Sequence, residues 1–211
     1  MDPLDLLPET ALREPGAIGR RFLDLGVMTF RAACSWVRDV PYGANRGGRH
    51  ADVVFDEMRG TCQSKHDLIA ALAQELDLPV SKYVGGYRLD ESIIEGAGAV
   101  LAAHGVAYVP ETHCVLKYDE RFFDLTAGNR HGKRKDITDM DVYVRVHPFA
   151  PKRIEQATYE LCAQYYRGAD PILGLKSVNE LRRIAMECRA RNRVVCLHEY
   201  VGAGFSRPEA L

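Results

Sequence analysis

Apolar residues recur at helical spacing in two N-terminal stretches of this chain. The first stretch runs from Ile18 to about Val40, and Gly26 divides the predicted segment into two helices. The second stretch follows Gly60-Thr61-Cys62, where Thr61 is a suitable N-cap and one buried stripe is predicted from Leu68, Ile69, Leu72, Ala73 and Leu76. Between the two stretches, the turn-forming residues of Pro41–Arg49 predict a loop.

The middle of the chain is richer in residues that favour β-strands. Val80–Tyr87 predicts a strand, and its two adjacent glycines permit a bulge or the close approach of another segment. Two short runs, His113–Tyr118 and Arg121–Thr126, flank Asp119-Glu120. This arrangement predicts an antiparallel hairpin in which residue 118 faces 121, 116 faces 123 and 113 faces 126.

The remaining segments predict an insertion and a largely helical C-terminal third. Residues 90–112 form the predicted insertion, with a short helix over Val100–His104 that Gly105 ends. A further strand is predicted over 141–146. Helices then follow over Ile154–Tyr166 and Val178–Arg191.

The order of these elements predicts an α+β fold: helices, a core helix, an antiparallel sheet and further helices. We expect a single domain over residues 1–211, with a C-terminal helical extension over about 150–211. The last helix begins with Ser177-x-x-Glu180, which is the spacing of a capping box. A chain of this length buries about 70% of the surface that its unfolded form exposes, so its stability requires no disulfides.

Composition and charge exclude several classes of protein. The chain is 46% hydrophobic and 27% charged, which is typical of a soluble globular domain. With a formal net charge of -1, the chain lacks the overall positive charge that is typical of a nucleic-acid-binding protein. The sequence predicts neither a secretory signal nor a membrane span. We therefore expect a cytoplasmic protein whose six cysteines, none in a CxxC pair, remain reduced.

Cys62 is the cysteine with the clearest signal for chemistry. It lies at the predicted start of a buried helix, behind a glycine and the N-cap Thr61. Unpaired backbone N–H groups and the helix dipole stabilise a thiolate at such a position and lower the pKa of the thiol. Taken alone, however, a free cysteine is more commonly a small buried packing residue.

His113 and Asp124 are the predicted partners of Cys62. An imidazole near a thiol can accept its proton and later protonate a leaving amine. Residues 113, 124 and 126 share one face of the predicted hairpin, with 124 diagonal to 113. A carboxylate within the otherwise apolar Phe122–Leu125 run requires a partner, and Asp124 is suited to orient the His113 ring. Each residue alone also fits a structural role, as a core histidine or an exposed residue beside a turn.

These segments together resemble the transglutaminase-like superfamily of papain-type cysteine enzymes. The resemblance covers about residues 30–128 and depends on Gly60-x-Cys62 before an amphipathic helix, on the passage LDLPVSKYVGGY, on His113 and on Asp124-Leu-Thr126. It implies a papain/transglutaminase-like core, with the nucleophile-bearing helix packed on an antiparallel sheet. It also implies Cys62 as nucleophile, His113 as general base and acid, and Asp124 as the orienting residue. Cys114-Val115 follow His113 where the family often has an aromatic residue.

Acyl transfer also requires an oxyanion hole, for which the backbone N–H of Cys62 is the first predicted donor. The resemblance implies an upstream aromatic or polar side chain as the second. Trp36 and Gln63 each carry a side-chain N–H for this role, although a tryptophan at that position is more commonly a core residue. The basic loop Asn129–Lys135 is either a site for an acidic substrate group or a solvated run of charges. Further predicted residues of the substrate cleft are His66, Tyr87 and Glu111.

Three functions remain open at the level of sequence. The first is cysteine-dependent acyl transfer or hydrolysis at an amide or ester carbonyl through a thioester, without a cofactor, on a peptide, protein or small amide. The second is a non-catalytic module of the same fold that binds peptides or proteins. The third is a metal-binding protein that uses Cys62, His66 and His113 with Cys114, although C-x3-H is not a strong zinc signature.

Overall fold

The computed structural model describes residues 2–13, 16–126 and 135–202, with side chains described as far as Arg191. A short 3-10 helix, Pro3–Leu6, precedes the main elements. The helices are α1 (Ala17–Asp24), α2 (Phe30–Asp39), α3 (Val53–Glu57), α4 (Cys62–Glu75), α5 (Ala97–Ala103), α6 (Lys152–Ala169), α7 (Pro171–Gly174) and α8 (Val178–Gly202). The strands are β1 (Ser81–Leu89), β2 (Val109–Tyr118), β3 (Arg121–Phe123) and β4 (Val142–Arg145). The predicted α+β class is confirmed.

Helix α4 is packed at the centre of the first hydrophobic core. Its start is fixed by a reciprocal cap, because the Thr61 hydroxyl accepts the N–H of Ser64 and the Ser64 hydroxyl accepts the N–H of Thr61 at 2.9 Å. Leu68 and Ile69 are fully buried, and α4 contacts α1, α2 and α3. The predicted N-cap is confirmed, and Gly26, with a φ of 76°, separates α1 from α2 as expected. The prediction of a single buried stripe is wrong, because α4 is buried on all sides from Lys65 to Ala73, whereas Leu76 is only half-buried.

The four strands form one antiparallel sheet in the order β3-β2-β1-β4. Asp119 and Glu120 make the turn between β2 and β3, with φ values of 46° and 58°. Leu116 pairs with Phe123 across this hairpin. The predicted hairpin, its turn and the pairs 118–121 and 116–123 are therefore confirmed, as is a strand within residues 141–146. The predicted pair 113–126 is not formed, because β3 ends at Phe123.

The insertion before His113 is shorter than predicted. Strand β2 begins at Val109, because its first residues pair with the outer part of β1: Val109 lies opposite Leu89 and Glu111 opposite Tyr87. The residues between β1 and β2 are thus 90–108. The short helix within them is Ala97–Ala103 rather than Val100–His104.

Strand β3 is also shorter than predicted, and ends at Phe123 instead of Thr126. The residues after it bond to side chains rather than continuing the ladder. The backbone N–H of Leu125 donates to a ring nitrogen of His66, and that of Thr126 donates to the Asp124 carboxylate. Asp124 therefore lies immediately after β3, outside its hydrogen-bonded ladder.

Helices α6 and α8 form a second hydrophobic core against the sheet. Helix α6 approaches β1 closely, since a Cβ at Gly86 would lie 2.7 Å from the sulfur of Cys162. The Tyr166 hydroxyl donates to the carbonyl of Gly86 at 3.1 Å. The expectation that a glycine here permits the close approach of another segment is confirmed.

The start of α8 is capped as the sequence predicts. The Ser177 hydroxyl accepts the N–H of Glu180 at 3.1 Å. The Lys176 ammonium and the backbone N–H of Ser177 both bond to the Glu180 carboxyl and lower its pKa. The predicted basic loop falls outside the described residues, except for its last member, Lys135.

Candidate active site

Cys62 is the first residue of α4 and is half-buried. The N-cap Thr61 holds the first turn in place, so the Cys62 thiol lies at the end of the helix where backbone N–H groups concentrate partial positive charge. This position favours the thiolate form of the cysteine. The other cysteines with described side chains, Cys34, Cys114, Cys162 and Cys188, are free and buried.

His113 and Asp124 form a buried ion-pairing contact. The Nε2 atom of His113 lies 3.0 Å from Oδ2 of Asp124, and the two side chains are 2% and 0% exposed. Thr126 donates its backbone N–H and its hydroxyl to the Asp124 carboxylate at 2.8 and 2.6 Å, and Ile137 donates its N–H at 3.1 Å. The carboxylate is thus held rigidly. Because Nε2 of His113 is directed at Asp124, Nδ1 is the nitrogen suited to serve a thiol.

His66 links the start of α4 to the segment that carries Asp124. Its Nδ1–H donates to the carbonyl of Cys62, and its Nε2 accepts the N–H of Leu125 at 3.0 Å. Its ring meets that of His113 edge to face, with centroids 6.0 Å apart. Burial lowers the pKa of His66 to about 4, so the ring is neutral at pH 7. The prediction that His66 lines the cleft is wrong, because the side chain is fully buried as an internal brace.

Tyr87 and Glu111 lie opposite each other on β1 and β2, next to the position of His113. Both side chains are buried, and the Tyr87 ring centroid lies 6.3 Å from that of His113. Burial raises the pKa of the Glu111 carboxyl, whereas Arg189, 2.9 Å from its Oε2, opposes that effect. The charges of Cys62 and His113 also influence the pKa of this carboxyl.

Tyr42 is a residue of the site that the sequence reasoning missed. It forms an isolated parallel bridge with Gly60, which brings its ring to the start of α4. Its hydroxyl is in hydrogen-bond contact with both the sulfur and the backbone N–H of Cys62. The charge of Cys62 and burial both raise the pKa of Tyr42. The only signal for it in the sequence is an aromatic residue within the turn-rich loop upstream of the cysteine.

Cys114, which the sequence placed near Cys62 only in the metal-binding alternative, also lies at the site. Its thiol is in hydrogen-bond contact with the sulfur of Cys62, and that contact, together with burial, raises its pKa. Lys82, only 1% exposed, opposes the rise through its positive charge. Cys62 therefore has a tyrosine hydroxyl and a second thiol as immediate neighbours.

Two residues considered for the oxyanion hole lie in different surroundings. The Trp36 ring packs in an aromatic cluster with Phe22 and Phe55, at centroid distances of 5.6 and 5.5 Å. Trp36 is therefore a residue of the first core, because α2 directs its ring toward α1 and α3. Gln63 lines a cavity beside the first turn of α4, together with Thr61 and Ser64.

The surroundings of Cys62 bear on the metal-binding alternative. Both ring nitrogens of His66 are engaged, by Cys62 and by Leu125. Among the described residues, no group of three or more His, Cys, Asp or Glu side chains is arranged to hold a metal ion. Within the same residues, no helix combines the length and apolar character needed to cross a bilayer. Comparisons of the chain with protein-family models, curated proteins and solved structures give no significant match.

Proposed function

We propose that this chain is a cysteine enzyme with a papain/transglutaminase-like core that attacks amide or ester carbonyls. The observation that carries the proposal is the buried contact of His113 with Asp124, at 3.0 Å. The His113 ring packs against that of His66, which in turn donates to the carbonyl of Cys62 at the start of α4. A carboxylate held by three further donors serves to orient an imidazole and to stabilise its charged form. A histidine held in this way, next to a helix-start thiol, is suited to proton transfer.

The proposed reaction passes through a thioester. His113 takes the thiol proton of Cys62, and the sulfur attacks the carbonyl carbon to give a tetrahedral intermediate. When the carbon–nitrogen bond breaks, His113 gives that proton to the leaving amine, and the acyl group remains on Cys62. Water then releases an acid, or a second amine takes the acyl group; in either case the sulfur regains a proton by way of His113.

Tyr42 supplies a second polar group to the proposed intermediate. In the structure its hydroxyl accepts the N–H of Cys62 and lies against the sulfur. A substrate carbonyl oxygen that replaces this hydroxyl as acceptor would bond to the Cys62 N–H, and the displaced hydroxyl can donate to the same oxygen. Two donors aimed at the developing negative charge constitute an oxyanion hole.

The substrate class in this proposal is a peptide, a protein or a small amide, and the acceptor is water or an amine. No cofactor takes part. Because the cysteines with described side chains are free thiols, the state that a reducing compartment maintains, we place the activity in the cytoplasm. The non-catalytic binding module differs from the enzyme in one measurable respect: a binding module forms no covalent acyl adduct.

The test is an acylation assay with p-nitrophenyl acetate, a reagent that reports on nucleophilic thiols of any specificity. We expect one equivalent of p-nitrophenol in a burst, with the acetyl group located on Cys62 by mass spectrometry, and hydroxamate formation when hydroxylamine is added. Replacing His113 by Ala should slow the burst at least about 100-fold, since general base catalysis contributes 10²–10⁴-fold. The matched control, Cys188→Ala, removes another buried thiol and should retain the burst. Acetylation without preference for Cys62 would refute the proposal.

A further inference from the structure

A cavity of about 310 Å³ lies beside the first turn of α4. We call it the Arg49 cavity, and its wall includes Asn45, Arg49, Thr61, Gln63, Phe149 and Lys152. Two of these residues, Thr61 and Gln63, flank Cys62 in the chain. The cavity is therefore within reach of a group attached to a substrate whose carbonyl is at the sulfur.

Two residues that line this cavity carry side-chain donors without a hydrogen-bond partner among the described residues. Nε and Nη1 of Arg49 and Nε2 of Gln63 are buried and make no hydrogen bond within the described part of the chain. Leaving a buried donor unsatisfied is costly, and more so for a charged group. Three such donors on two neighbouring residues indicate a place that is completed by an acceptor from outside the protein.

Two acceptor groups of the same wall, the Asp67 carboxylate and the Asn45 side-chain oxygen, are already engaged. Oδ1 of Asp67 accepts the Lys82 ammonium at 2.6 Å, and Oδ2 accepts Nη2 of Arg49 at 3.3 Å. Oδ1 of Asn45 accepts the hydroxyl of Ser64 at 2.7 Å. A ligand for this cavity must therefore bring acceptors rather than donors.

Charge indicates which kind of acceptor fits. Arg49 also pairs with Glu155, at 2.9 Å, so its charge is shared between two carboxylates. Lys82 neutralises one of them, Asp67, and exposed Lys152 adds a further positive charge at the cavity mouth. Among the residues that line the cavity, the cations Arg49 and Lys152 outnumber the anion Asp67 by one. A single carboxylate would balance this excess charge.

We propose that the Arg49 cavity is a subsite for a carboxylate of the substrate, and so selects acidic acyl donors. The inference depends on the proposed function for the role of Cys62, but the cavity and its donors stand independently of it. Arg49 and Gln63 donate to the carboxylate oxygens, and Lys152 adds electrostatic attraction. An acceptor with full negative charge gains more from these donors than a neutral amide oxygen does.

The test uses three bromoacetyl probes that differ only in charge and in its position: bromoacetyl-glutamate amide, bromoacetyl-glutamine acid and bromoacetyl-glutamine amide. Each alkylates a thiolate, forming a sulfur–carbon bond and releasing bromide. Rates at Cys62 are divided by the rates of the same probes with free cysteine. We expect one of the acidic probes to be at least about tenfold faster than the neutral probe, the lower end of what a charge-assisted hydrogen bond contributes. The two acidic probes distinguish a side-chain carboxylate from a terminal one.

Four variants test whether the preference for acidic probes arises at the Arg49 cavity. Gln63→Leu should reduce the preference about threefold while leaving the ion pairs of Arg49 in place, and Arg49→Gln should abolish it. Lys152→Gln should lower it, whereas the matched control Arg153→Gln removes an equal charge from the exposed neighbouring residue and should not. If both acidic probes react with the same relative rate as the neutral probe, the subsite is refuted.

A binding measurement keeps the subsite testable even if Cys62 proves unreactive. The Nε–H of Arg49 and the side-chain amide of Gln63 give their own signals in a ¹⁵N-edited NMR spectrum. N-acetylglutamate amide or N-acetylglutamine acid should shift both signals saturably, and N-acetylglutamine amide should not. An unreactive Cys62 with these shifts would refute the proposed function and keep the subsite. A reactive Cys62 without the shifts would do the reverse.

Discussion

At acidic pH, protonation of the buried side chain of His66 should lower the stability of this fold. His66 donates to the Cys62 carbonyl and accepts from the Leu125 N–H, an arrangement available only to the neutral ring. Burial lowers its pKa from 6.5 to about 4. As the pH falls below about 6.5, the unfolded chain takes up a proton at this position before the folded chain does. The free energy of unfolding must therefore decrease between about pH 6.5 and pH 4.

The size of this effect follows from the two pKa values of His66. A gap from 6.5 to about 4, at about 1.4 kcal/mol per pKa unit, corresponds to a loss of about 3 kcal/mol when the pH passes through the whole interval. Many domains have a total stability of only about 5–15 kcal/mol, so this loss is readily measured. Protonation of His66 also affects the site. The charged ring cannot accept the Leu125 N–H, and this hydrogen bond holds the segment that carries Asp124.

The assay is urea unfolding at pH 7 and pH 4 for wild type, His66→Gln and the control His147→Gln. His66→Gln should be less stable at pH 7 by about 1–3 kcal/mol, the cost of disturbing buried hydrogen bonds. Its loss between pH 7 and pH 4 should be about 3 kcal/mol smaller than that of wild type. His147 is exposed, so its replacement should leave the wild-type pH dependence intact. Equal losses in wild type and His66→Gln would refute the reasoning.

Three further substitutions test separate parts of the structure. Lys82→Met leaves the buried Asp67 carboxylate without its 2.6 Å partner, and should cost about 3–5 kcal/mol of unfolding free energy in urea melts. Gly86→Ala puts a Cβ 2.7 Å from the Cys162 sulfur, and should cost about 1–3 kcal/mol in the same assay through overpacking; an unchanged midpoint would contradict the close approach of α6. Tyr42→Phe removes a hydrogen bond to the nucleophile, and should slow its alkylation at pH 6 about tenfold, since hydrogen bonds to charged groups are the stronger class. An unchanged alkylation rate would show that the Tyr42 hydroxyl does not act on Cys62.

Local features of the fold could be predicted from the sequence because they are set by neighbouring residues. The N-cap Thr61 and the apolar spacing of α4 define that helix, and the two-residue turn at Asp119-Glu120 sets the register of β2 with β3. The start of β2 could not be predicted in the same way. Val109 belongs to the strand only because Leu89 extends β1 opposite it, and that pairing connects residues distant in the chain.

The residues of the candidate site also divide into those that a local sequence signal identifies and those that contacts distant in the chain place there. Cys62, His113 and Asp124 carry local signals: a helix start, a strand position and a carboxylate in an apolar run. Tyr42 reaches the site through a parallel bridge to Gly60, and nothing in its local pattern indicates that contact. His66 has the right spacing to face the cleft, but the fold turns it inward, where it bonds to the backbone of Leu125.

The central claim, that Cys62 is an activated nucleophile, is tested most directly by competitive alkylation. The protein is treated with limiting iodoacetamide at about pH 6, where an ordinary thiol with a pKa near 8.5 is almost wholly protonated. Mass spectrometry then gives the extent of modification at each cysteine. We expect Cys62 to react at least about tenfold faster than the other thiols, and His113→Ala to remove most of that advantage. Reaction of Cys62 at or below the rate of the other cysteines, or an unchanged rate in His113→Ala, would contradict the account.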